Sequence, residues 1–147
     1  MLATDTDLAW VRDNIVGASA LMKDPHFNRA FQAFDGSRHI SSRAAGIVIS
    51  WAFIETLLRP GNKQITDRIC RALAAYLYPS GSERDRGFTR IRESYGARGG
   101  IAHASAGLCA DEFDVVTEMA RRALMKTVEV GHIPNIGLLL RGWAEKS

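Results

Sequence analysis

The stretch SSRAAGIVISWAFIETLLRPGNKQITDRICRALAAYLY, residues 41–78, decides the fold. Ser41-Ser42 offers a hydroxyl of the kind that accepts the free N–H groups at a helix start. From about Arg43 to Arg59, the apolar residues Ile47, Trp51, Ile54 and Leu58 recur every three or four positions, the spacing that lines one side of an α-helix. Pro60-Gly61-Asn62 stops that helix and turns the chain. The pattern then repeats from about Gln64 to Tyr78, where Ile65, Ile69, Leu73, Tyr76 and Leu77 are expected inside. Short punctuation of this kind between helices suggests an antiparallel bundle.

Outward from this pair the helical period continues, and no segment alternates as a strand would. A first helix is expected over about Asp5 to Met22, with Leu8, Val11, Ile15 and Ala18 on one apolar face, and Asp24-Pro25 breaks it. A short second helix carries Phe27, Phe31 and Phe34 and closes at Asp35-Gly36. Downstream, Pro79-Ser80-Gly81-Ser82 punctuates again, and Ser82 is placed to cap an arginine-rich helix bearing Phe88, Ile91 and Tyr95. Gly96 to Gly107 reads as a loop or a short helix. Asp111 leads into a longer helix with Phe113, Val116, Ala120, Leu124 and Val128 inward; Gly131 to Asn135 interrupts it before a last apolar segment, Ile136 to Trp143. Residues 1–147 are therefore read as one all-α domain, an antiparallel helical bundle of about five to seven helices.

Composition narrows the class. At 147 residues and 46% hydrophobic, the chain can bury a real core, which excludes disorder as its main state. No apolar run approaches the roughly 20 residues that span a bilayer, and Asp5 and Asp7 stand where a secretion signal needs a basic start, so no membrane is expected and the location is expected to be cytoplasmic. Cys70 and Cys109 have no second Cys or His at ligand spacing, and the histidines form no HExxH pair, so neither a metal site nor a cofactor is expected. The two thiols are read as reduced, although one long-range disulfide is allowed. The net charge of +3 sits in the middle of the chain: residues 44–103 hold nine basic and five acidic side chains, whereas the segments on either side nearly cancel. Arg84, Arg86, Arg90 and Arg92 form either a solvated helix face, partly neutralised by Glu83, Asp85 and Glu93, or a surface that attracts phosphates.

Three residues break the pattern. Glu55 lies one turn beyond Trp51 and two beyond Val48, at the edge of the apolar stripe, where a carboxylate either reaches water or needs a cation. Arg98, one turn after Tyr95 and two after Ile91 if that helix continues, falls on the apolar side. A buried arginine calls for a carboxylate, so an Arg98–Glu55 pair is expected. His103 follows Arg98 in an R-x4-H spacing. Residues five apart on a straight helix point about 140° apart, so convergence of the two requires a bend at Gly99-Gly100.

In that context Ala52-Phe53-Ile54-Glu55-Thr56-Leu57-Leu58, the helix Ile65 to Leu77, Glu83-Arg84 and Tyr95-Gly96-Ala97-Arg98-Gly99-Gly100-Ile101-Ala102-His103-Ala104 occur in order. Over residues 43–105 the chain resembles the Apea-like branch of the HEPN superfamily. The resemblance implies a helical bundle that dimerises, and a metal-independent endoribonuclease of toxin or phage-defence type. Arg98 and His103 from two subunits would line a shared cleft, with Glu55 and Tyr95 supporting the arginine. The implied partners are a second copy, RNA and an antitoxin or operon-encoded protein. Two positions depart from the family pattern: Gly99 stands where a polar residue commonly follows the arginine, and Ala104 where glycine commonly follows the histidine. These departures fit an alternative, a catalytically silent HEPN-like binding or dimerisation module. A third reading is an unrelated helical regulator that holds nucleic acid non-specifically.

Overall fold

A computed structural model describes residues 3–37, 39–103 and 106–144. Among them the chain forms seven α-helices and no strand: α1 (Asp5–Leu21), α2 (Pro25–Ser37), α3 (Arg43–Leu58), α4 (Ile65–Leu77), α5 (Ser82–Ala97), α6 (Ala106–Val130) and α7 (Ile136–Ala144), with a 3-10 turn over Arg98–His103 between α5 and α6. The all-α reading holds.

The centre is α3. It carries no charge between Arg43 and Glu55, and eight of its residues, among them Ile47, Trp51, Phe53, Ile54, Leu57 and Leu58, are buried. Ser42 caps it as expected, its hydroxyl accepting the Ala45 N–H at 3.3 Å. Its C-cap, Arg59, adopts a left-handed conformation that ends the helix ahead of Pro60. α2 lies antiparallel to α3: Arg59 at the end of α3 donates to the His26 ring at the start of α2, and further along Phe34 meets Phe53 at a tilt, ring centres 4.9 Å apart. The Asp24-Pro25 break is a helix start, since the Asp24 carboxylate accepts the N–H groups of His26 and Phe27. α4 and α5 are likewise antiparallel, with Arg84 of α5 held at the Tyr78 end of α4. α6 packs along α3, where Gly46 admits the Phe113 ring; a Cβ there would lie 2.5 Å from it.

Four local expectations need correction. α6 begins at Ala106, not Asp111; of the loop or short helix expected over Gly96 to Gly107, the short helix is what forms, as the 3-10 turn Arg98–His103, and residues 104 and 105 lie outside the described residues. Ser82 does not cap α5: Gly81, at φ 121°, occupies the cap position and no side chain bonds there. Ile65 at the start of α4 is 39% exposed rather than buried. The largest departure is α1. Its core side is Trp10, Gly17, Ala18 and Leu21, with the Trp10 indole donating to Glu129 and Gly17 close to the Val128 carbonyl of α6. Leu8, Val11 and Ile15, the expected inward stripe, face solvent. Apolar residues occur around the whole of α1, so periodicity alone leaves the facing side open.

Candidate functional site

α3 places Glu55 at the boundary between its buried and open sides, and α5 brings Tyr95 and Arg98 to it from across the bundle. One carboxylate oxygen, Oε1, accepts both the Tyr95 hydroxyl at 2.8 Å and an Arg98 guanidinium N–H at 2.5 Å. The guanidinium also lies over the Tyr95 ring, 4.0 Å from its centre, a cation–π contact that fixes its plane. Tyr95 is held in turn by Trp51, whose ring meets it edge-on at 4.9 Å in the core. Burial, reinforced by the hydrogen bond to Glu55, pushes the Tyr95 phenol up to about 12, so it stays a donor at any physiological pH. The expected Arg98–Glu55 pair is thus present, half-buried rather than sealed: the side chains keep 38% and 31% of their exposure.

Arg98 is the last residue governed by α5. Beyond it the chain tightens into the 3-10 turn, which packs on α3 and α5 and is anchored by the buried Ile101. Gly99 and Gly100 are exposed, and a Cβ on either would meet nothing within 4 Å. The backbone of His103 closes this turn, five positions after Arg98, while its side chain and residue Ala104 lie outside the described residues.

The arginines of α5 do not form one surface. Arg84 is committed to structure, donating to the Tyr78 carbonyl through two nitrogens at 3.2 Å. Arg86 and Arg90, one turn apart, share a shallow open groove with Asp85, Thr89 and Glu93, and Arg90 faces Glu112 at 3.7 Å and Glu93 at 3.9 Å. Arg92 points elsewhere, over the Phe88 ring at 5.9 Å. On that side Arg71 sits near two rings, 5.4 Å from the centre of Phe88 and 5.2 Å from that of Trp143, and its Nε binds Asp67 at 2.7 Å. Nothing in the linear pattern singles out Arg71, because its ring partners come from α5 and α7. Arg92 and Arg98 both lie within electrostatic reach of the buried Cys70 of α4.

No cluster of three His, Cys, Asp or Glu able to hold a metal ion occurs among the described residues, and no helix there is long and apolar enough to cross a membrane. Both cysteines are free thiols; burial pushes Cys70 up to about 11, which leaves it protonated and unreactive. What the cluster offers chemically is a guanidinium with a fixed plane at a half-open surface, beside a backbone turn that carries a histidine. Compared with protein-family models, with curated proteins and with solved structures, the chain has no match in any of the three.

Proposed function

We propose that the chain is an endoribonuclease that acts as a dimer on RNA without a metal ion, through Arg98 and His103, in the manner of HEPN toxins and phage-defence nucleases. The observation that supports this reading is the anchoring of Arg98. A carboxylate on one side and a phenol ring beneath hold its guanidinium in one orientation at the start of the R-x4-H turn. A solvated surface arginine has no need of such support.

The chemistry follows from the residue types. His103 takes the proton of a ribose 2′-hydroxyl as that oxygen attacks the adjacent phosphorus. The Arg98 guanidinium, always protonated and planar, stabilises the charge that builds on the phosphorane oxygens. The P–O5′ bond breaks, the departing 5′-oxygen takes up a proton, and the products are a 2′,3′-cyclic phosphate and a 5′-hydroxyl. A second His103 in a shared cleft supplies that proton, which is why the reading carries a dimer. DNA lacks the attacking hydroxyl and is not a substrate. Gly99 and Ala104 favour the second reading, a binding module of the same shape without cleavage. One assay separates them. Labelled RNA incubated in excess chelator is cut by the native chain and spared by Arg98→Ala and His103→Ala if the first reading holds; RNA left intact by all three supports the second.

A further inference from the structure

Arg98 has more binding capacity than the protein itself uses. Glu55 takes its Nη1 at 2.5 Å, and one face of its guanidinium lies on the Tyr95 ring, which Trp51 backs from the core. Among the described residues nothing bonds to its Nε or Nη2 and no ring covers its second face, and the side chain keeps 38% of its exposure. A planar cation held flat on one ring and open on the other side is a stacking surface for a second flat group. The chain beside it is bare. Gly96, Gly99 and Gly100 are exposed, none has the left-handed backbone that favours glycine, and a Cβ on any of them would meet nothing described within 4 Å. Glycine weakens helical backbone relative to alanine, so neither conformation nor internal packing accounts for three of them in five positions. What glycine otherwise permits is the close approach of a ligand to the backbone.

We propose that the open face of the Arg98 guanidinium, with the bare backbone of Gly99 and Gly100 beside it, seats one unpaired nucleobase next to the phosphate that Arg98 holds. This rests on the reading of the site as one that takes RNA. A nucleotide is the ligand whose parts match. It offers a flat π-surface for the open face of the guanidinium and, one sugar away, an anion for the Nε and Nη2 edge. A base paired in a duplex keeps both faces inside its own stack and does not reach the seat. Because every base has a π-face, the seat selects unpaired nucleotides without reading their edges. Gly99 then has a use of its own: where a polar side chain would stand over the seat, glycine leaves it clear.

Fluorescence anisotropy with a labelled, short 2′-fluoro RNA tests it, presented as a single strand or annealed to its complement. The probe lacks the 2′-hydroxyl and so is not cut by the proposed reaction. The native chain is expected to hold the single strand more tightly than the duplex. Gly99→Leu and Gly100→Leu fill the seat from positions open to solvent. Each should weaken the single strand by roughly ten-fold, about 1.4 kcal/mol, without lowering duplex affinity or the melting temperature. Arg98→Lys keeps the charge and loses the plane, so it should abolish the preference for the single strand; it also serves if the glycine variants misfold. Equal affinity for the two forms, no binding of either at tens of micromolar, or single-strand binding untouched by all three substitutions overturns the proposal. Cleavage of natural RNA is read separately. A chain that prefers the single strand and cuts nothing keeps the seat without the ribonuclease. One that cuts RNA while all three variants bind as the native chain does keeps the ribonuclease without the seat.

Discussion

At Glu55 a single oxygen serves two donors, and the exposure of the pair sets what it is worth. Arg98 and Glu55 each keep about a third of their surface in water, so the interaction is nearer to a surface ion pair than to a sealed one. Arg98→Ala is accordingly expected to cost about 1 kcal/mol of stability. A double-mutant cycle with Glu55→Gln should return a coupling of a few tenths to about 1 kcal/mol in thermal or urea melts; strict additivity would mean that the two side chains do not act together. Cleavage should fall more than stability in Glu55→Gln, since the amide keeps the volume but loosens the guanidinium. His26 supplies the pH dependence. Burial, aided by the charge of Arg59, holds it below its ordinary 6.5, and its neutral ring accepts the Arg59 Nε–H. The unfolded chain therefore takes up the proton first. The part of the stability that depends on a neutral His26 is full above about 6.5, declines as the pH falls through that value, and is gone below the folded pKa. Asp24, the nearby carboxyl, is itself held low by backbone N–H groups and does not titrate in this window. Melting temperatures from pH 8 to 5 should show the decline, and His26→Gln should flatten it.

The C-terminus of α4 shows how an element consumes charges that look functional in the linear chain. Its last carbonyls are met by three cations from two other helices: Lys126 on Tyr76, Arg122 on Leu77 and Arg84 on Tyr78. They satisfy acceptors that the helix cannot, and they stand at the negative end of its dipole. Arg84→Ala is expected to lower stability by about 1 kcal/mol while leaving the salt dependence of RNA affinity unchanged. Arg86→Ala, at an exposed position, should do the opposite, and fluorescence anisotropy at several salt concentrations beside melts of both variants reads the difference. Tyr78 ties the same corner together. Its ring lies directly on Gly87 with the Arg122 guanidinium 4.7 Å from its centre, and its hydroxyl accepts from Arg122 at 3.2 Å. A methyl at position 87 overlaps the ring, so Gly87→Ala should cost about 1–3 kcal/mol despite the better helix propensity of alanine.

Across the whole molecule, what the linear chain reveals follows how many partners each residue needs. α3 and α4 are legible because their stripes are wide and bounded by Ser42, Pro60 and Gly61. The Glu55–Arg98 pair is legible because two charged residues on apolar faces require each other. The facing of α1 is not, since apolar residues surround it and only contact with α6 decides which side turns in. The fates of Arg84 and Arg71 are not either, because their partners come from distant helices. This uneven distribution of burial predicts uneven stability. α3 and α4 contribute most of the fully buried side chains, Trp51, Phe53, Ile54, Leu57, Ile69 and Leu73 among them, whereas α1 contributes none of these and has Leu21 as its single buried residue. Backbone amides of α3 and α4 can exchange with solvent only when the whole bundle opens. Those of α1 exchange when one helix lifts off α6, at a much lower free energy. Native-state hydrogen exchange should therefore find α1 among the fastest helices. Exchange in α1 as slow as in α3 and α4 would show that the helix is held firmly by the bundle, and the weak attachment inferred from its single buried residue would be wrong.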